Sequence, residues 1–221
     1  MQFIQNHLLF LILFVPTGGA AILLFLPSKQ ARIIRWFALF ASLISFGLAL
    51  GMWIGFNPSS SGFQFEEQWI WYPDINSSLH LGVDGISLMM VLLTTFLTSL
   101  AIITSFKITE NIKAYFVLFL VLETGMLGVF LSLDLLLFFV FWEVGLVPMY
   151  FLINQWGSTN RNYASLKFIL FTMGGSLGLL LAIQMIGIVT GTYDLPELIK
   201  IWPGIQEATL FGLSTSTVKA I

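Results

Sequence analysis

The sequence predicts an all-α polytopic membrane protein of about six transmembrane helices with its N-terminus on the outer side, and three observations predict it. Of the 221 residues, 57% are hydrophobic and only 9% charged, with a mean hydropathy of +0.94, whereas a soluble domain carries about 25% charged residues. Uncharged stretches of about 20 residues, the length that crosses a ~30 Å hydrocarbon core, recur along the chain. In the connections between those stretches, Lys and Arg occur only on alternate sides, as the positive-inside rule requires.

The first span covers residues 8–26, ends at Pro27 and is followed by Lys29, Arg32 and Arg35. A cleaved signal would need a positive region ahead of the apolar run, and no fixed charge precedes Lys29, so the run is read as a retained helix. Residues 36–56, 86–106 and 168–190 are uncharged runs of the same kind. Between the last two lie residues 114–131 and 135–153, apolar stretches joined by Ser132, Leu133 and Asp134 and each interrupted by one glutamate. They read as a tight helical hairpin. Residues 57–85 are rich in Ser, Asn and aromatics (Trp69, Trp71, Tyr72) and contain Pro58 and Pro73, which predicts an ordered outer loop at headgroup level. The stretch 191–221 carries Asp194, Pro196, Glu197, Lys200, Trp202, Pro203 and Glu207 and reads as an outer interfacial tail. The whole of 1–221 is expected to be one membrane domain.

Lys29, Arg32, Arg35, Lys107, Lys113, Arg161 and Lys167 fall in connections that share one side, while 57–85 and 132–134 contain no Lys or Arg. The basic side is therefore cytoplasmic, or matrix or stromal in an organelle. The chain has no cysteine, which removes disulfides, thiolate metal sites and cysteine-held iron–sulfur clusters from consideration. A net charge of −2 without any basic cluster interleaved with aromatics gives no ground for nucleic-acid binding. No HExxH, GxGxxG, P-loop or spaced His pair is present.

Glu123 and Glu143 are the two residues that composition alone cannot explain. An ionisable group at the bilayer centre costs at least ~2.5–3.5 kcal/mol on insertion scales, so intramembrane charge points to function by default. Each acid lies about ten residues from the turn at 132–134, or about 15 Å deep at ~1.5 Å per residue. That is mid-membrane, and at matched depth the two carboxyls share a pocket if both face inward. A glutamate between a dry site and a nearby cation takes up and releases a proton when its neighbours move, which is the chemistry of a proton relay. Pro148, five residues after Glu143, has no N–H to give the carbonyl of Val144, leaving an acceptor one residue past the acid. The plainer reading of either glutamate is a hydrogen bond to a neighbouring helix.

Lys167 opens the last span and reads either as a snorkelling interfacial lysine or as a cation lining the cytoplasmic entrance to the acidic site. The cluster Thr172, Gly174, Gly175, Ser176 and Gly178 suits close helix packing. Asp84 is placed to cap the third span, His80 reads as interfacial, and His7 as incidental.

The strings LGVDGISLMMVLLT (81–94), LGVFLSLDLLLFFVFWEVGLVPMYFLI (127–153) and YASLKFILFTMGGS (163–176) resemble the antiporter-like membrane subunit M of proton-pumping NADH:quinone oxidoreductase (complex I), called chain 4 in mitochondria. The resemblance covers essentially the whole chain. It implies that Glu143 is the fifth-span glutamate of a proton channel coupled to a lysine on a later, broken helix, with Glu123 as a secondary acid and Lys167 as a cytoplasmic-side cation. It further implies no redox cofactor in this chain, with flavin, iron–sulfur clusters and quinone in partner subunits, and neighbouring antiporter-like subunits and the lipid bilayer as partners. The expected location is the bacterial cell membrane, or the mitochondrial inner or thylakoid membrane in an organelle. Family members have about fourteen spans, so the chain is expected to be the N-terminal portion of such a subunit. The family's A-V/I-K-x-P string is absent, and Lys219, in STVKAI, lacks the following proline. Subunits of Mrp-type Na⁺/H⁺ antiporters and of membrane-bound hydrogenases share the glutamate. A truncated structural scaffold carrying idle acids is the alternative from another class.

Overall fold

Apolar runs must bury their backbone polar groups internally in lipid, and each of them folds as a helix. The computed structural model describes residues 7–60 and 62–204. Among the described residues, six helices are long and apolar enough to cross a membrane. They are α1 (Leu8–Phe25), α2 (Ala31–Gly55), α3 (Gly85–Thr104), α4 (Ile112–Leu131), α5 (Leu135–Trp156) and α6 (Arg161–Thr190), followed by a short α7 (Leu195–Ile201). Helix α2 starts ahead of the apolar run at 36 and α6 ahead of that at 168, because hydropathy marks where a helix meets lipid and not where its hydrogen bonds begin. Of the predicted tail, residues 205–221, with Glu207 and Lys219, lie outside the described residues.

The predicted outer loop is a β-hairpin. Strand β1 (Gln64–Tyr72) pairs antiparallel with β2 (Ser77–Val83), Trp69 opposite Leu79. The turn is a 3₁₀ segment, Pro73–Ile75, closed by Asn76 at φ +51°, a left-handed conformation that Asn adopts more readily than most residues. Nearly all of β2 is buried under the helix ends, so it lacks the alternation that marks a half-exposed strand.

The hairpin ties together the helix ends beside it. Helix α1 has no side-chain cap of its own. Its orphan amides, Leu9 N–H and Phe10 N–H, donate to Glu67 Oε1 at 2.8 and 3.3 Å, an anion placed on the positive end of the helix from 58 residues away. Asp84 caps α3 as expected: its Oδ1 accepts from Ser87 N–H at 2.7 Å while Ser87 Oγ accepts from Asp84 N–H at 2.9 Å, a reciprocal capping box. Asp134 caps α5, its Oδ1 accepting from Leu136 and Leu137 N–H at 2.9 and 3.0 Å. Its Oδ2 accepts from Ser77 hydroxyl and Ser78 N–H of β2, both at 3.0 Å. The turn between α4 and α5 is further held by Leu133 N–H to His80 carbonyl, 2.8 Å, and by Leu195 N–H to Leu133 carbonyl, 2.7 Å.

At the opposite end the cations satisfy helix C-termini and loops. Lys113 Nζ donates to the Leu24 carbonyl and, at 3.0 Å, to that of Leu26; Arg35 Nη2 donates to Ile108 carbonyl at 2.7 Å. Cations are favoured at these negative helix ends.

Helices α1–α4 enclose two apolar clusters. One, toward the hairpin, gathers Leu9, Ile12, Leu13, Met52, Leu88, Val91, Leu127 and Leu131. The other, toward the basic end, gathers Leu23, Ile34, Ala38, Ile102, Phe116 and Leu120. Helix α5 packs on α4 through glycines: a Cβ on Gly125 would stand 3.0 Å from Gly145 Cα, and one on Gly128 would fall 2.0 Å from Phe141 Cγ. Helix α6 lies on α5 and buries only Ser165, Ser176, Ile183 and Gly187 of its 30 residues.

Candidate functional site

Between the two apolar clusters, halfway along α1–α4, sits a layer of polar side chains. Helix α1 contributes Thr17, α2 Ser42 and Ser45, α3 Thr95, Thr98 and Ser99, and α4 Glu123 and Thr124; all but Thr17 are buried. The layer exists because the four helices place hydroxyls at matching depths and on inward faces: Ser42 and Ser45 are three apart, and Thr95, Thr98 and Ser99 follow the three-and-four spacing of one helical face. Thr17 Oγ1 donates to Thr124 Oγ1 at 2.7 Å, joining α1 to α4. Ser42 Oγ and Ser99 Oγ lie 2.9 Å apart.

Glu123 occupies the centre of this layer with no solvent exposure. Ser42 Oγ is 3.3 Å from its Oε1, and its Oε2 is buried with no hydrogen-bond partner. Among the described residues it belongs to no ion pair.

Glu143 is on α5 and partly exposed, with Oε1 buried and unpartnered. Phe141 and Gly145, two residues to either side, face α4. At about 100° per residue, Glu143 is turned about 160–200° from each of them and so lies off the α4–α5 seam. Gly125, two residues after Glu123, is on the α4 side of that seam, so Glu123 too points away from it, toward α2 and α3. The two acids share the depth that the turn count predicts, yet they are not hydrogen-bonded to each other. Pro148 is inside the continuous α5 and buried.

Lys167 is exposed near the start of α6, its Nζ 5.7 Å from the Tyr163 ring centroid and 5.8 Å from that of Phe171. Flanking rings hold the ammonium by cation–π attraction. Among the described residues it makes no ion pair with either acid.

Sequence reasoning did not single out Ser42, Ser45, Thr95, Thr98 or Ser99. Their available signal was depth, because each lies near the middle of its span. His80 is also more than interfacial: buried in β2, its Nδ1 contacts Asp194 Oδ2 and its Nε2 lies 3.3 Å from Glu66 Oε2. His7 has a partner as well, Glu67 Oε2 at 3.4 Å. Among the described residues no group of three or more His, Cys, Asp or Glu is arranged to hold a metal ion.

Residues 132–220, which take in Glu143 and Lys167, match the family described as "NADH:quinone oxidoreductase/Mrp antiporter, TM". This match and the six-helix bundle make the chain similar to antiporter-like membrane subunits. Curated proteins to which it is similar are named subunit M or chain 4. NADH-ubiquinone oxidoreductase chain 4 of Arabidopsis thaliana is 46% identical over 186 residues, which is 83% of this chain and 38% of the relative. NADH-quinone oxidoreductase subunit M of Rhodobacter capsulatus is 40% identical over 200 residues, 89% of this chain and 39% of the relative. Among solved structures, respiratory complex I from Thermus thermophilus with bound NADH contains a chain that superposes with a TM-score of 0.75 at 26% identity, over 87% of this chain and 39% of that one. The chain thus spans well under half the length of these relatives.

Proposed function

We propose that the chain is the N-terminal portion of a proton-translocating subunit of an NADH:quinone oxidoreductase, working in the bacterial cell membrane beside other antiporter-like subunits. The observation that carries the reading is Glu143: a carboxyl about 12 Å from the start of α5 by ~1.5 Å rise per residue, with one oxygen buried and unpaired. A carboxyl so placed, one residue before the carbonyl that Pro148 leaves free, is a stepping-stone for a proton and a water. Electron transfer belongs to the flavin, iron–sulfur clusters and quinone of partner subunits, and this chain supplies only proton-carrying groups. Quinone reduction there is coupled to Glu143 through a lysine whose distance or charge changes during turnover. Glu123 is the secondary acid, fully enclosed in the α1–α4 layer. Lys167, on the basic side, is a cation near the entry end of α6.

The test is Glu143→Gln in the full-length subunit. Proton pumping and coupled quinone reduction should fall while NADH oxidation by artificial acceptors is kept; normal pumping would overturn the assignment. The family description also includes Mrp antiporters, and a Na⁺ gradient driving proton uptake by the purified complex without NADH would move the reading to that side.

A further inference from the structure

We infer that Ser42 and Ser99 are positioning residues for Glu123, forming a reversible hydroxyl relay that gives its carboxyl a hydrogen bond in both the ionised and the protonated state. The inference rests on the reading of Glu123 as a proton-carrying acid and adds what makes the acid able to change state where it sits.

The argument is a count of protons. Ser42 Oγ lies between Glu123 Oε1, 3.3 Å away, and Ser99 Oγ, 2.9 Å away. Ser99 Oγ in turn lies 2.9 Å from the Thr95 carbonyl. Each serine has one proton to give, and each hydroxyl oxygen can also accept. When Glu123 is a carboxylate, Ser42 donates to Oε1 and Ser99 donates to Ser42. The Thr95 carbonyl then keeps the Ser99 backbone N–H of the helix ladder as its partner, so no obligatory bond is lost. When one proton is added at Oε1, that O–H donates to Ser42, Ser42 turns to Ser99, and Ser99 turns to the Thr95 carbonyl. Only hydroxyl rotors move, no bond in either serine breaks, and the chain of bonds reverses direction as a unit.

A fixed donor such as Asn Nδ2 at position 42 could bond Oε1 only while that oxygen is an acceptor, and a fixed acceptor could bond it only while it carries the proton. The pair of serines serves both, in a place where an unmade bond cannot be replaced by bulk water. No competing charge sets the state from close by. Across from Glu123, α1 contributes Thr17 through Thr124, α2 contributes Ser42 and α3 contributes Ser99. Among the described residues no Lys, Arg or His is within ion-pair distance of it. Glu143 stands off the far side of the α4–α5 seam.

The test is infrared difference spectroscopy of the full-length protein in proteoliposomes across its stable pH range. The carboxylic C=O band of Glu123 is assigned by its disappearance in Glu123→Gln. Loss of a hydrogen bond raises that band, so Ser42→Ala should move it to higher wavenumber, Ser99→Ala should move it less, and Ser42→Thr should return it to the wild-type position. A band unmoved by Ser42→Ala, a Thr variant that fails to restore it, or the absence at every pH of a band sensitive to Glu123→Gln would each overturn the relay. Should Ser42→Ala not assemble, Ser99→Ala and Ser42→Thr still decide it, since an ordering other than Thr unchanged and Ala raised contradicts the geometry. Pumping by Glu123→Gln is read separately: normal pumping with the expected band shifts removes the acid's transport role and leaves the relay standing, whereas lost pumping with an unmoved band removes the relay alone.

Discussion

Replacing Asp134 by Ala tests whether the outer plate, and not helix propensity, holds the α4–α5 turn beneath which both acids lie. Asp134 is 1% exposed and accepts four hydrogen bonds, two from the first turn of α5 and two from β2. Removing the cap costs about 1 kcal/mol. The Ser78 N–H, buried and left without an acceptor, adds about 1–3 kcal/mol. The Ser77 hydroxyl already accepts from Trp71 Nε1–H at 3.0 Å and can turn its proton elsewhere, so little more is added. The expected loss is therefore about 2–4 kcal/mol. Asp134→Asn, which keeps one acceptor oxygen, should lose about half of that. Equilibrium unfolding in mixed micelles gives the free energy, and hydrogen exchange over 77–83 and 132–140 locates it: both segments should exchange faster, while the middle of α1 should not. A loss below about 0.5 kcal/mol, the range of an ordinary surface change, with unaltered exchange over 77–83, would refute the strap.

The packing and capping of the helices set three further outcomes. Gly128→Ala should cost about 1–3 kcal/mol by overpacking, because its Cβ would fall 2.0 Å from Phe141 Cγ, whereas Gly174→Ala, with nothing within 4 Å, should be neutral or gain up to about 1 kcal/mol of helix propensity; equal effects in thermal denaturation would contradict the α4–α5 packing. Thr17→Val should cost about 0.6 kcal/mol, the usual worth of a hydroxyl bond between membrane helices, and a loss of several kcal/mol would mean that Thr17 does more than bond Thr124. Burial pushes the Asp84 carboxyl up, but hydrogen bonds from the Ser87 N–H and hydroxyl and from nearby backbone amides outweigh it and hold the group below its ordinary 3.8. Its cap is thus fully present above pH 3.8 and is lost as pH falls through the lower folded-state value, so Ser87 N–H protection, corrected for intrinsic exchange, should drop on acidification below 3.8 and not in Asp84→Asn.

The sequence by itself determined the number of long apolar helices, the hairpin of α4 and α5 and the placing of Glu123 and Glu143 near the middle of their helices. Those properties are sums over neighbouring residues: hydropathy counts span length, and a fixed rise per residue turns sequence distance into position along a helix. It also gave the Asp84 cap, which is made by residues three apart. Only the tertiary structure decided which way each acid faces. Small differences in helical phase, fixed by Gly125, Gly128 and Gly145 at the α4–α5 contact, send Glu123 toward Ser42 and Ser99 and leave Glu143 off the seam. The hairpin was equally hidden, because a strand buried along nearly its whole length shows no alternation and the Glu67 of its partner strand caps α1 from 58 residues away. Direction and long-range pairing depend on how whole elements pack, and no local pattern records them.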